Sequence, residues 1–260
     1  MGERNKTTQA IILTVRLQGE NNRIVQVLTP EDGILSLVLY GGPKSRLRSL
    51  VQPFNSGTLF YYSDEAKKQR KISDFDVRNC HLTFRTNLFK MWAADLAAEI
   101  IIKTKCGGDS ESAFTLLKAV TDGMDAVDEE EARLGLLRFL WRYIGLLGVQ
   151  PEIKDCVLCK GFLLGEEKKN TLMVYSSVYS GFICADCLKK EGAIQEENGG
   201  YFLDTDGATY LAAINELKPG KVRSISIKES SANYLKRFLF YLIDREAGPL
   251  KTLESGLGIL

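Results

Sequence analysis

The chain has 260 residues, 45% of them hydrophobic and 26% charged, which is the profile of an ordinary globular protein of one to three domains. No apolar run approaches the roughly 18 residues of a membrane helix, and the polar N-terminus lacks the apolar stretch of a secretory leader. A single histidine, His81, argues against Ser-His-Asp triads and excludes His-Glu-x-x-His zincins, while a formal net charge of +1 does not announce the basic footprint of a nucleic-acid binder.

The first third reads as strands. Ile11, Leu13, Val15 and Leu17 alternate with Ile12, Thr14 and Arg16, and Ile24 to Leu28 follow a polar turn. Pro30-Glu-Asp-Gly33 marks a second turn. Ile34–Tyr40, Thr58–Tyr62 and the alternating stretch 70–78 complete five short strands at the spacing of a small barrel, OB-like or SH3-like. The period changes near residue 86. Leu88, Trp92, Leu96 and Ile100, with Phe89, Ala93, Ala97 and Ile101 beside them, predict an amphipathic helix whose polar side is Lys90, Asp95, Glu99 and Lys103. Gly107-Gly108 ends it, and Asp109 or Ser110 starts a second helix to about Met124. Asp128 to Glu131 open a third, where carboxylates suit the helix dipole. Residues 204–217 and 230–245 predict two more.

Charge is uneven along this plan. Residues 1–80 carry 12 basic and 8 acidic side chains, whereas 81–150 and 151–260 are net −2 and −1. Lys44, Arg46 and Arg48 form one basic cluster; Lys67, Lys68, Arg70 and Lys71 form another. Tyr40 and Phe54 flank the first. Cations track phosphates and aromatic rings stack bases, which is how small barrels hold single strands. The loop Gly41-Gly-Pro-Lys-Ser45 lacks the spacer of a phosphate-binding ATPase loop. No nucleophile stands with a base, so the residues point to a protein that is not an enzyme.

Cys156-Val-Leu-Cys159 and Cys184-Ala-Asp-Cys187 lie 24 residues apart. Four thiolates suit one tetrahedral zinc ion, structural because its shell is closed. Disulfide and redox roles are the alternatives. With no leader and clustered cysteines, a reducing cytoplasm is expected. Tyr175–Phe182 predicts a hairpin of a zinc ribbon. Cys80 and Cys106 are expected to pack as small apolar groups, and His81 to be an ordinary hydrogen-bonded histidine.

The stretch from Tyr40 to Phe54, with its Ser-Arg-Leu followed by Gln-Pro-Phe, resembles the bacterial RecO recombination mediators. So does Leu146-Leu-Gly-Val-Gln-Pro running into the first Cys-x-x-Cys, and so, more weakly, does Gly248-Pro-Leu-Lys-Thr252. The family loop often carries more arginines before Pro43, and the tail after Lys251 departs from the pattern. The resemblance implies a multi-domain α+β protein: an OB-fold barrel over 1–80, a helical domain over 81–150 and 201–260, and a four-cysteine zinc ribbon over 151–200 inserted in it. It implies a mediator that binds ssDNA and dsDNA and anneals complementary strands. With RecR, such a protein helps load RecA onto DNA coated by single-strand-binding protein, SSB, at the bacterial nucleoid. Lys44, Arg46 and Arg48 would contact phosphates and the four cysteines would hold zinc. Arg138 and Arg142, one turn apart, are candidates for the acidic SSB tail. The rival reading is a zinc-ribbon adaptor that binds protein and not DNA; a zinc-stabilised nuclease or RNA-modifying enzyme ranks third.

Overall fold

The computed structural model describes residues 4–42, 44–64, 66–165, 171–190, 201–256 and 258–259. The first residues of the N-terminus and Pro43 of the glycine loop lie outside them. The chain forms two units, Met1–Leu136 with Ala247–Leu260, and Leu137–Glu246.

Five strands open the first unit: β1 (Asn5–Gln18), β2 (Asn22–Thr29), β3 (Gly33–Leu39), β4 (Ser56–Asp64) and β5 (Gln69–Asn79). They close into a barrel in the order β1-β2-β3-β5-β4. One long strand serves two neighbours: β1 pairs with β4 through its first half and with β2 through its second. A register shift between Ile12 and Thr14 lets it bend from one to the other. The closing seam is a single parallel pair, Val38 with Lys71. A short helix, α1 (Arg46–Leu50), sits between β3 and β4. This is the five-stranded OB-fold barrel, and it decides between the two barrels the sequence allowed. Ala10, Ile12, Val25, Val27, Leu37, Leu59, Tyr61 and Phe75 fill the interior. Ile11, Leu13 and Leu28 point outward and are buried nonetheless, because helices cover that wall. Gly57 is obligatory: a Cβ there would meet the Asp76 carbonyl at 2.0 Å, where β4 and β5 approach at a bulge.

Three helices follow, α2 (Leu88–Lys103), α3 (Ser110–Asp125) and α4 (Glu129–Leu146). α2 lies against β1, and α3 against β2 and β3. Asn87 and Asp109 cap α2 and α3, accepting from the Lys90 and Ser112 amides. Asp128 accepts from the Glu131 amide at the start of α4, so the acidic run is a helix start. The amphipathic reading of α2 needs correction. Lys90 is buried, its ammonium donating to the Val127 carbonyl, and Leu88 is exposed. A helix packed on several sides loses the simple two-faced pattern.

His81 holds the barrel to α3. It sits at φ 43° just after β5 and is buried. Its Nδ1 lies 2.7 Å from the Phe54 carbonyl oxygen and its Nε2 2.7 Å from Asp122 Oδ1. The ring is thereby held from both sides, by the barrel segment that leads into β4 and by α3. Burial pushes the Asp122 carboxyl up, but hydrogen bonds from Lys118, His81 and Asn79 outweigh it and hold the group below its ordinary range. Of the two single cysteines, Cys106 is buried as expected; Cys80 is exposed.

The second unit contains β6 (Leu172–Ser176), β7 (Gly181–Cys184), α5 (Ala185–Lys190), β8 (Tyr201–Asp204), α6 (Thr205–Glu216), α7 (Pro219–Arg223) and most of α8 (Glu229–Ala247). The expected hairpin is β6–β7, and β8 adds a third antiparallel strand on the other side of β6. Tyr175, Phe182 and Phe238 pack ring against ring at 5.1 to 5.6 Å between centroids. Trp141 of α4 donates to the Leu211 carbonyl. α4 therefore belongs to both units, and the expected segments 81–150, 151–200 and 201–260 do not map singly onto them.

α9 (Lys251–Ser255) returns to the first unit, where Glu99 accepts from the Lys251 and Thr252 amides. One turn earlier on α2, the Asp95 carboxyl is pushed up to about 6, by burial first and then by the Glu99 charge. The folded state thus keeps a proton that the unfolded chain releases near pH 4. Stability conferred by that proton is present below this range and falls as pH rises through about 6. Asp95→Asn is expected to gain about 1–3 kcal/mol at pH 7 and almost nothing at pH 4. Urea melts at both pH values check this; an equal effect at each would remove burial of the charge as the cause.

Candidate nucleic-acid interface and metal centre

The loop after β3 is built by glycine. Gly41 has φ +128°, and a Cβ there would meet the Ser45 Cβ at 2.9 Å. Ser45 donates its amide to the Gly42 carbonyl, and α1 starts at the next residue. Leu47 and Leu50 pack onto the barrel core and Val51 is buried with it. Asn55 donates to the Leu50 carbonyl and Gln52 to that of Arg48, fixing the far end. With its apolar side anchored, this segment presents its cations: Lys44 and Arg46 are exposed and Arg48 is half-buried. Among the described residues no carboxylate pairs with any of them. Tyr40, 54% exposed, stands at the loop's start.

Phe54 is the correction in this group. Its backbone is left-handed, φ 67°, which turns the ring inward. It is 4% exposed and packs edge-on against Phe84 at 5.9 Å. A ring so placed has no face to offer a base.

Lys67, Lys68, Arg70 and Lys71 are all exposed on the β4–β5 turn and the start of β5. Lys71 lies over the Tyr62 ring at 4.9 Å. Its pairing with Val38, two residues before Tyr40, sets the second cluster along the same β3–β5 seam from which the glycine loop departs. A further cation, Arg23, was not singled out by sequence. It lies on β2 opposite Leu39, and its Nε is buried with no hydrogen-bond partner.

Arg138 is 6% exposed and donates to the Tyr210 hydroxyl at 2.9 Å. Arg142 is half-buried; burial first, then the Arg138 charge, lowers its pKa. Tyr210 also lines a groove of about 890 Å³ with Ala213, Leu217 and Ile225. The groove is flanked by the ion pairs Lys154–Glu216 and Lys228–Asp206. The Arg138 guanidinium therefore bonds to a residue of the groove wall.

The four cysteines converge. Cys156 and Cys159 lie on a turn whose Val157 amide donates to the Phe182 carbonyl; Cys184 ends β7, and Cys187 lies in α5. All four sulfurs lie within 4.8 Å of one another. Cys159 and Cys184 are 3.8 Å apart, against about 3.8 Å for the edge of a tetrahedron with Zn–S bonds near 2.3 Å. The Cys184 amide points at the Cys156 sulfur. Against the upward push of burial, amides of Cys159, Cys184 and Leu158 draw the Cys156 thiol down to about 6. Hydrogen bonds with Cys159 and Cys184, then burial, push Cys187 up to about 12. Without a cation the cluster favours a thiolate at Cys156 and resists one at Cys187; a divalent ion would offset that resistance. The donor set could hold one metal ion.

These features define a class: an OB-fold barrel protein with an added helical region and a four-cysteine centre. The family model for the recombination protein O N-terminal region matches residues 1–80, and that for its C-terminal region matches 85–254. The chain belongs to the RecO family. It is 24% identical over 243 residues to a protein of Moorella thermoacetica named DNA repair protein RecO, covering 91% of this chain and 86% of that one. A protein of the same name from Bacillus velezensis is 25% identical, covering 92% and 89%. Another from Shouchella clausii is 26% identical over 195 residues, covering 72% and 70%.

Proposed function

We propose that this DNA-repair protein is a recombination mediator that binds ssDNA and dsDNA and anneals complementary strands. With RecR, it would help load RecA onto SSB-coated DNA in the bacterial cytoplasm at the nucleoid. The observation that carries the reading is the set Lys44, Arg46 and Arg48, held without acidic partners among the described residues on a segment anchored to an OB-fold barrel. Such a surface neutralises phosphates and leaves bases free to pair, and annealing needs no bond chemistry. Lys67, Lys68, Arg70 and Lys71 extend the track, and Tyr40 offers a ring to an unstacked base. Cys156, Cys159, Cys184 and Cys187 would hold one structural zinc ion. Arg142 and the groove walled by Tyr210 would receive the acidic SSB tail, with Arg138 positioning Tyr210.

The test is annealing of complementary oligonucleotides coated with SSB. The protein is expected to accelerate it, and SSB lacking its acidic tail to abolish the acceleration. A protein that leaves the rate unchanged on bare and on coated strands would refute the mediator reading. The adaptor reading draws on one observation: Phe162, Val178 and Tyr179 of the cysteine module are exposed, as a protein-docking surface would be. Fluorescence anisotropy with labelled oligonucleotides separates the two.

A further inference from the structure

Helix α2 leaves one face open. The barrel strand β1, α3 and α9 pack on its other sides, yet Leu88 is 54% and Met91 38% exposed, and Trp92 is half-buried. Spaced i, i+3 and i+4, these three lie on one side of the helix, and Asp95 continues that side a turn further on. Leu82, also exposed, adds to the apolar surface from the 3-10 turn Leu82–Arg85 just ahead of α2. Exposed apolar side chains gathered on one face and rimmed by charge mark an association surface, where single ones scattered over a protein do not. The rim charges stand in a definite order. Arg85, exposed, precedes the stripe and Asp95, half-buried, follows it. Among the described residues neither side chain has an ion-pair partner. The charge that bears on Asp95 is that of Glu99, of its own sign. A carboxylate half-buried without a cation costs the free protein stability.

We infer that this face of α2 binds the same face of a second copy of the chain, antiparallel, about a two-fold axis at the height of residue 90 along the helix. Such an axis sets Leu88 of each copy against Trp92 of the other and brings the two Met91 side chains together beside it. The same axis sets Arg85 against Asp95 twice. That order is what selects the occupant. With a cation ahead of the stripe, an acid behind it and apolar groups spaced evenly between, the face complements itself when reversed, as a two-fold interface requires. Helices packed about 8–10 Å apart put the two methionines in contact, and methionine adapts to an irregular gap. Each Asp95 gains the counter-charge it lacks in the single chain. Three apolar side chains per copy make a narrow surface, at or below the low end of stable interfaces, roughly 1,200 Å² in all. The association is therefore reversible and depends on concentration.

The test is sedimentation velocity of the full chain, without DNA, from low micromolar to near-millimolar concentration, with tryptophan emission read on the same samples. The protein has two tryptophans, and Trp141 is fully buried, so an emission shift that follows concentration reports Trp92. The parent should pass from monomer to dimer across the range, with emission moving to shorter wavelength. Met91→Lys, which sets two ammonium groups beside the axis, should stay monomeric throughout. Asp95→Asn and Arg85→Gln should each weaken the dimer by about tenfold or more, because the axis removes two ion pairs with each substitution. The double variant Arg85→Gln/Asp95→Asn should be within about twofold of the weaker single one, since both substitutions break the same two pairs. Asp95→Asn should lose association while its urea melt at pH 7 moves up, a combination that damage to the fold does not produce. A parent that stays monomeric at every concentration would overturn the inference and leave the face to a different protein. A dimer that survives Met91→Lys unchanged would place the contact elsewhere, and multiplicative losses at Arg85 and Asp95 would break the pairing; either overturns it.

Discussion

Stripping metal from the protein should melt the cysteine module and leave the barrel standing. The sheet β7-β6-β8 has strands of only four or five residues, and a patch of this size seldom folds on its own side chains. Its buried apolar side chains are few, Met173, Val174, Tyr175, Phe182, Ile183 and Leu203 on the sheet with Ile153 and Leu163 beside the first cysteine pair, braced by Phe238. Zinc contributes about 10–16 kcal/mol of apparent folding free energy in zinc-finger peptides, far above what those side chains supply. Elemental analysis is expected to find one zinc per chain, lost in Cys156→Ser. Amide exchange should then rise across 154–163 and 172–187 while Val25, Val27 and Leu37 stay protected. Cys80→Ser, at an exposed thiol outside the cluster, is the control and should change nothing. Acid should release the metal as thiolates take up protons. Full protection of the module after chelation would end the structural-zinc reading.

The legible parts of this molecule were those that local chemistry writes in short range. Alternation and apolar runs bounded by turn signals placed the five barrel strands, the Asp-led caps placed α3 and α4, and paired Cys-x-x-Cys motifs placed the four-cysteine cluster, because each signal lives within a few residues. What escaped depends on closure. α1 is five residues long, too short to show a helical period. β8 is four residues long, too short to show a strand period. Phe54 reads as an available ring until the left-handed backbone turns it beneath Phe84. Lys90 reads as a polar-side residue until the Val127 carbonyl arrives from 37 residues away. Arg23 is one cation on a strand in the sequence; only the fold shows its Nε buried without a hydrogen-bond partner. Net charge misled for the same reason, since a +1 total averages a basic barrel against acidic helices.

Replacing Lys44, Arg46 and Arg48 together by Ala should have the largest effect on DNA binding. Each phosphate contact releases a counterion, so log K against log salt falls with a slope of about −0.9 per contact on duplex and −0.7 on single strands. The triple variant should lose up to about three contacts, flattening the duplex slope by roughly 2 to 3 and weakening binding 10²-fold or more at about 50 mM salt. The loss should be nearly the same for every base composition, because phosphates carry no sequence. Leu47, Leu50 and Val51 still anchor α1 to the barrel, so thermal melting should shift little, and that separates lost contacts from lost fold. Tyr40→Ala completes the set: stacking contributes about 1–3 kcal/mol per base on single strands and nothing on a duplex whose bases stay stacked. Tyr40→Ala should therefore weaken ssDNA alone, while the triple variant weakens both. Affinity unchanged between about 50 and 200 mM salt would place no phosphates on this surface. Equal loss on duplex and single strand from Tyr40→Ala would make that ring a structural residue, not a platform for bases.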